Sequence, residues 1–235
     1  MASIGSLIMI PVPLAENAMH TLPAEVSVYS KKLKHFFVEN VREARRFLKA
    51  IDKEIDIDSL TFSETNRNAT LDINQLNNWL KQGQDVGVLS DAGCPGIADP
   101  GAELAAAAQK LGAKVIPLTG PSSILLALMA SGLNGQSFAF NGYLPVKEPE
   151  RGKKIKSLEA QSLKENQTQI FIETPYRNNN IAQDILRHCS PKTLLCIAIN
   201  ICASDEKIIT KSVADWAKET IALPKQPAIF LILAS

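Results

Sequence analysis

The sequence lacks most of the signals that settle a function quickly. It holds 4 cysteines and 3 histidines in 235 residues, and no two cysteines stand at CxxC spacing. Cys94, Cys189, Cys196 and Cys202, with His20, His35 and His188, offer no zinc pattern, so reduced thiols and no metal are expected. The histidines sit in unrelated contexts and read as structural or surface residues. Neither charge is in excess: 25 Lys and Arg against 24 Asp and Glu leave a net +1, with no global pull toward nucleic acid. The longest apolar runs, such as Ala228 to Ala234, are too short to cross a bilayer, so no membrane partner is expected. No basic stretch precedes Ile8-Met9-Ile10, which argues against a signal peptide and for the cytoplasm. The patterns G-x-G-x-x-G, G-x-x-x-x-G-K-[ST] and G-x-S-x-G are missing, which removes the usual dinucleotide fingerprint, the P-loop and the nucleophile elbow.

What is present is a globular composition, 46% apolar and 21% charged, long enough for one large domain or two small ones. The first half alternates strand and helix. Apolar runs at Leu7–Ile10, His35–Val38, Leu60–Phe62, Val86–Leu89 and Val115–Leu118 read as buried strands. Helical spacing follows at Val41–Ile51, Leu71–Lys81, Ala102–Leu111 and Ser122–Ser131. Apolar strands alternating with helices predict a mainly parallel sheet covered on both faces. In the second half, strand-like runs at Phe138–Phe140, Gln169–Ile172, Leu194–Ile199, Lys207–Thr210 and Ala228–Leu233 lie closer together, which predicts a mixed sheet with helices. Gly132 and Gly135 bracket a turn, so the predicted domains are 1–134 and 135–235, both α/β.

The segment Ser90-Asp91-Ala92-Gly93-Cys94-Pro95-Gly96-Ile97-Ala98-Asp99-Pro100-Gly101 joins a strand to a helix and is more elaborate than a plain connection requires. Ligands of open α/β sheets collect at such carboxyl strand ends. Asp99 before Pro100 reads as a helix N-cap, a structural role. Asp91 has no cap to serve and is free to face a ligand. Thr119-Gly120-Pro121-Ser122-Ser123 is a second strand-to-helix turn, where the serines either cap the helix or help hold a polar ligand group. Phe171-Ile172-Glu173-Thr174-Pro175-Tyr176-Arg177 follows a later strand; Glu173 and Arg177 either pair with each other or face a cleft between the domains. Basic regions at Lys31–Lys49 and Lys147–Lys156 read as solvated faces or as patches for an anionic partner.

The Ser90–Gly101 residues resemble the signature of the tetrapyrrole methylase superfamily, closest to the branch that methylates a ribose 2′-hydroxyl of small-subunit ribosomal RNA. Pro117-Leu118 with Gly120-Pro121, Gly142-Tyr143-Leu144-Pro145 and the Phe171–Arg177 run match in the same order. The resemblance implies two α/β domains, S-adenosylmethionine as cofactor and a homodimer. By position, Pro11, Asp91, Gly93, Cys94, Ile97, Pro121, Ser122, Ser123 and Tyr143 would hold the cofactor. Glu39, Asp91 and Glu173 are the candidate catalytic carboxylates, while Arg42, Arg46 and Arg177 would contact the RNA.

The match is divergent. The branch begins P-T-P-I-G-N, and Pro11-Val12-Pro13-Leu14-Ala15-Glu16 keeps only the prolines of that pattern among its identities. The branch carries E-D-T-R where Glu39-Asn40-Val41-Arg42 keeps the ends, and it often adds a C-terminal extension, which a sequence read to Ser235 is expected to lack. Two alternatives accompany the methyltransferase reading: a catalytically degenerate paralogue that binds RNA or a partner, and a small-molecule methylase acting on a tetrapyrrole.

Overall fold

The computed structural model describes residues 3–65 and 71–235. The chain divides into two compact units, Met1–Ser122 and Ser123–Ser235.

The first unit contains β1 (Leu7–Ile10), α1 (Ala24–Ser30), β2 (His35–Val38), α2 (Val41–Ile51), β3 (Thr61–Glu64), α3 (Ile73–Lys81), β4 (Val86–Leu89), α4 (Ala102–Leu111) and β5 (Val115–Pro117). The strands form one sheet in the order β3-β2-β4-β1-β5, every pair parallel. Alternate side chains go to opposite faces of a strand. Ile8, Ile10, Phe36 and Val38 therefore meet Val26 of α1 and Ala44, Phe47 and Leu48 of α2 on one face. Leu7, Phe37, Val86 and Val88 meet Leu76 and Leu80 of α3 and Leu104 and Ala108 of α4 on the other. From β1 the chain runs toward β2, and from β4 it runs the opposite way, toward β5. Right-handed crossovers in opposite directions put the helix pairs on opposite faces. The loops leaving the adjacent β1 and β4 diverge there, which opens a crevice at their carboxyl ends.

Two local features depart from the sequence reading. Residues 24–30 form α1, which the apolar spacing does not reveal because only Val26 and Ser30 of that helix are buried. The start of α2 is set by Asn40, whose side-chain oxygen accepts from the N–H groups of Arg42 at 2.9 Å and Glu43 at 3.4 Å.

The second unit contains α5 (Ser123–Ser131), β6 (Phe138–Tyr143), α6 (Glu150–Glu165), β7 (Thr168–Glu173), α7 (Asn178–His188), β8 (Leu194–Ile199), β9 (Lys207–Ser212), α8 (Val213–Trp216) and β10 (Ala228–Leu233). Its sheet runs β6-β7-β10-β8-β9, with β6–β7 parallel and the other pairs antiparallel, the mixed sheet expected. Ile155 and Leu158 of α6, Ile181 and Ile185 of α7 and Trp216 of α8 cover Phe171, Ile197 and Phe230. The indole N–H of Trp216 donates to the Leu195 carbonyl at 2.9 Å, which satisfies the one polar group that its burial would otherwise orphan. Helix α5 packs against β9 and β10, and Thr210 donates to the Ser131 carbonyl at 2.7 Å. Those contacts bring α5 into the second unit, so the units divide upstream of the 134/135 boundary read from the glycines. No helix among the described residues is long and apolar enough to cross a membrane.

Candidate functional site

In the first unit the loops after β1, β4 and β5 meet. Strand β1 lies between β4 and β5, so the elaborate turns follow next-nearest rather than adjacent strands. They touch nonetheless. Val12 and Gly93 exchange backbone hydrogen bonds at 2.9 and 3.1 Å, which ties the β1 loop to the β4 loop. The Cys94 thiol reaches the Pro121 carbonyl at 3.4 Å, which ties the β4 loop to the β5 loop. Gly93 has φ +75°, and a Cβ there would sit 3.2 Å from Leu14, so the turn needs the missing side chain twice over.

Carboxylates gather at these tips. Glu39, just beyond β2, accepts from the Asp91 N–H at 3.3 Å. Burial first, then Glu39 and Glu43, push the Asp91 carboxyl above its ordinary value. Burial first, then Glu39 and Asp91, lift Asp99 to about 6. Asp99 does not cap α4: the helix begins at Ala102, its N-cap is Gly101 at φ 134°, and no side chain caps it. The glycine-dependent backbone delays the helix past Pro100 and leaves Asp99 as a half-buried acid beside two others. The sequence suggests a cap because Asp-Pro is a common helix start; the glycine that follows is the contrary signal.

A cavity of about 600 Å³ opens beside this cluster. Residues 12–19 of the β1 loop, Ser90–Ala92 of the β4 loop and Glu43, Ala44, Arg46, Phe47 and Ala50 of α2 line it. Asp91 and Arg46 thus share one wall system, with Glu43 next to Arg46 at 3.3 Å. Arg42 is exposed on the same helix as Arg46. Pro11 and Pro121 are buried under the loop tips, Ile97 is exposed, and Ser122 is half-buried.

In the second unit Glu173 is buried and accepts from Arg177 at 2.5 and 2.9 Å and from the Thr174 N–H at 2.6 Å. The mutual ion pair of the two readings is therefore formed. Tyr143 is exposed and Ser123 half-buried. Arg151, counted in the second basic region, is instead buried and paired with Asp184 at 2.5 Å, and it also donates to the Val146 carbonyl. Lys147, Lys153, Lys154 and Lys156 remain exposed. Glu148, Asp184 and His188 offer ligand atoms within 4.8 Å of one another, but the Arg151 guanidinium already supplies positive charge to both carboxylates.

Comparison with known proteins agrees with this architecture. The family model of the Tetrapyrrole (Corrin/Porphyrin) Methylases matches residues 24–217. The chain belongs to that family. Among its relatives is the "Ribosomal RNA small subunit methyltransferase I" of Thermotoga maritima, 33% identical over 183 residues, which are 77% of each chain. The protein of that name from Bacillus subtilis is 31% identical over 176 residues, covering 75% of this chain and 57% of the relative. The Vibrio cholerae protein is 36% identical over 149 residues, which are 63% of this chain and 49% of the relative. The chain thus spans about half the length of some relatives it matches. A solved structure titled "Crystal structure of the methyltransferase CobJ" superposes with a TM-score of 0.66 over 98% of this chain and 95% of that one, at 16% identity, and so shares the fold. The family places the packed turns within a methylase framework, the relationship that the Ser90–Gly101 residues suggest.

Proposed function

We propose that the chain is an S-adenosylmethionine-dependent methyltransferase that acts on a ribose 2′-hydroxyl of ribosomal RNA. The observation that carries this reading is the meeting of the β1, β4 and β5 loops around Glu39, Asp91 and Asp99 in a member of a methylase family. Neighbouring carboxylates that repel one another, Glu39 and Asp99 half-buried and Asp91 exposed, are stabilised by a cation between or beside them. A sulfonium nucleoside brings that charge, and the glycine-rich β4 loop lets it approach the main chain.

When bound, S-adenosylmethionine supplies a methyl group on a cationic sulfur, which leaves as a neutral thioether once the acceptor oxygen has taken the carbon. The protein's own work is to hold the two reactants in line, worth about 7–11 kcal/mol of barrier, and to take the hydroxyl proton. We assign the holding of the donor to Pro11, Asp91, Gly93, Cys94, Ile97, Pro121, Ser122, Ser123 and Tyr143. Among the carboxylates proposed as proton acceptor, Glu39 and Asp91 stand together at the loop tips, whereas Glu173 is engaged by Arg177. Arg42, Arg46 and Arg177 are proposed to meet the RNA. The relatives named for ribosomal RNA support that acceptor over a tetrapyrrole. The proposal extends, through the resemblance, to a cytoplasmic homodimer.

Calorimetry with S-adenosylmethionine tests the donor, and mass spectrometry of ribosomal RNA from a deletion strain tests the acceptor. Saturable donor binding together with loss of one ribose methylation is the expected result. Absence of donor binding defeats the proposal in favour of a degenerate binding module.

A further inference from the structure

The cavity beside the loop tips is chemically divided. Phe47 of α2 and Met19 of the β1 loop give it apolar walls, and Ala50 leaves room where a longer side chain would close it. Glu16, Glu43 and Asp91 supply carboxylates and Arg46 a guanidinium. At about 600 Å³ the space falls within the range of small-ligand sites, and it can admit a ring with its substituents. The carboxylates accept hydrogen bonds and donate none when ionised, so they select a ligand that presents N–H or O–H groups. The guanidinium selects an anion, preferably a planar-forked match such as phosphate. Its present partner is weak competition: Arg46 and Glu43 are 67% and 43% exposed at a separation of 3.3 Å, and such solvated pairs hold little energy.

A flat apolar ring, hydrogen-bond donors beside it and an anion at one end together describe a nucleoside phosphate. We propose that this cavity receives one nucleoside phosphate, as a nucleotide turned out of the RNA acceptor, with its base against Phe47 and Met19 and its phosphate at Arg46. The position fits the fold, since the cavity lies at the carboxyl ends of β1 and β4, where the connections diverge. Turning a base out of its strand is the general way for an enzyme to reach an atom hidden by stacking, and single-stranded RNA yields such a base readily. This inference rests on the methyltransferase reading and adds the place of the acceptor.

The test uses the full chain and the Ala50→Trp and Arg46→Glu variants. Ala50 and Arg46 are both exposed on α2, so neither change disturbs the core. Donor binding is measured by calorimetry, transfer of labelled methyl into a small-subunit ribosomal RNA fragment gives kcat/KM, and saturation-transfer NMR reads the binding of nucleoside 5′-monophosphates. The expected result is donor affinity within twofold of the parent, with kcat/KM for RNA at least tenfold lower in both variants. Monophosphate signals that vanish in the variants while RNA transfer stays intact assign the cavity to a free nucleotide and overturn the RNA part. Full RNA transfer and unchanged monophosphate signals in both variants overturn the inference entirely. A parent chain that binds no donor, yet gives a monophosphate signal that Ala50→Trp abolishes, defeats the methyltransferase reading while leaving the cavity assigned. Should Ala50→Trp fold poorly, Arg46→Glu decides alone.

Discussion

A Cβ on Gly120 would stand 2.1 Å from the Cβ of Pro11. The proline ring is rigid and Pro11 is buried, so it cannot yield without moving the β1 loop. Gly120→Ala should therefore destabilise the fold by about 1–3 kcal/mol through overpacking and weaken donor binding at the same time. Gly135→Ala, where an added Cβ meets nothing within 4 Å, should stay within about 0.5 kcal/mol of the parent. Urea unfolding of the two variants, with calorimetry, checks the contrast.

Asp99 should make the protein more acid-tolerant than an ordinary acid would. Its folded value of about 6 lies above the unfolded 3.8, so the folded chain holds a proton that the unfolded chain has released between these limits. Its contribution is present below about pH 4 and is lost as pH rises through about 6. Asp99→Asn should remove that decline and gain on the order of 1 kcal/mol at pH 8, discounted because the group is only half-buried. Melting curves from pH 4.5 to 8 report it. A cationic donor should pull the proton off, so its binding should strengthen as pH rises through about 6.

The buried Arg151–Asp184 pair is a structural tie rather than part of a basic surface. Arg151→Met should cost about 3 kcal/mol by leaving buried Asp184 with only the exposed Arg187, at 3.3 Å, and adding Asp184→Leu should recover much of that loss. A double-mutant cycle by chemical denaturation measures it.

Arg42 should act through charge alone. Arg42→Ala should lower the slope of log affinity for RNA against log salt by about 0.7–0.9 and weaken binding equally for unrelated sequences. Filter binding from 50 to 300 mM salt would expose an unchanged slope.

Asn40→Ala should cost about 1 kcal/mol of stability by removing the α2 cap. Asn40→Asp should retain the cap, and thermal melts separate the two.

Much of the architecture is legible in the residues. The strands at Leu7, His35, Val86, Leu194 and Ala228 are continuous apolar runs, a pattern that survives without knowledge of tertiary contacts. The loop at Ser90–Gly101 stands out by its density of glycine, proline and acid. What escapes is set by distant partners. Helix α1 buries too few side chains to show a period, and Arg151 looks like any surface cation until Asp184 is placed beside it. Asn40 resembles a lost motif residue in the chain and proves to be the cap of a helix. The spatial insertion of β1 between β4 and β5 cannot be read from order along the chain, because strand order depends on the direction of each crossover.

The Val12–Gly93 link is made by main-chain atoms alone. Downstream side chains such as Ala15 and Glu16, which line the cavity, are therefore released from holding the loop in place. Substitutions there should leave the turn fastened, so the lining of the cavity is separable from the backbone clasp that carries it.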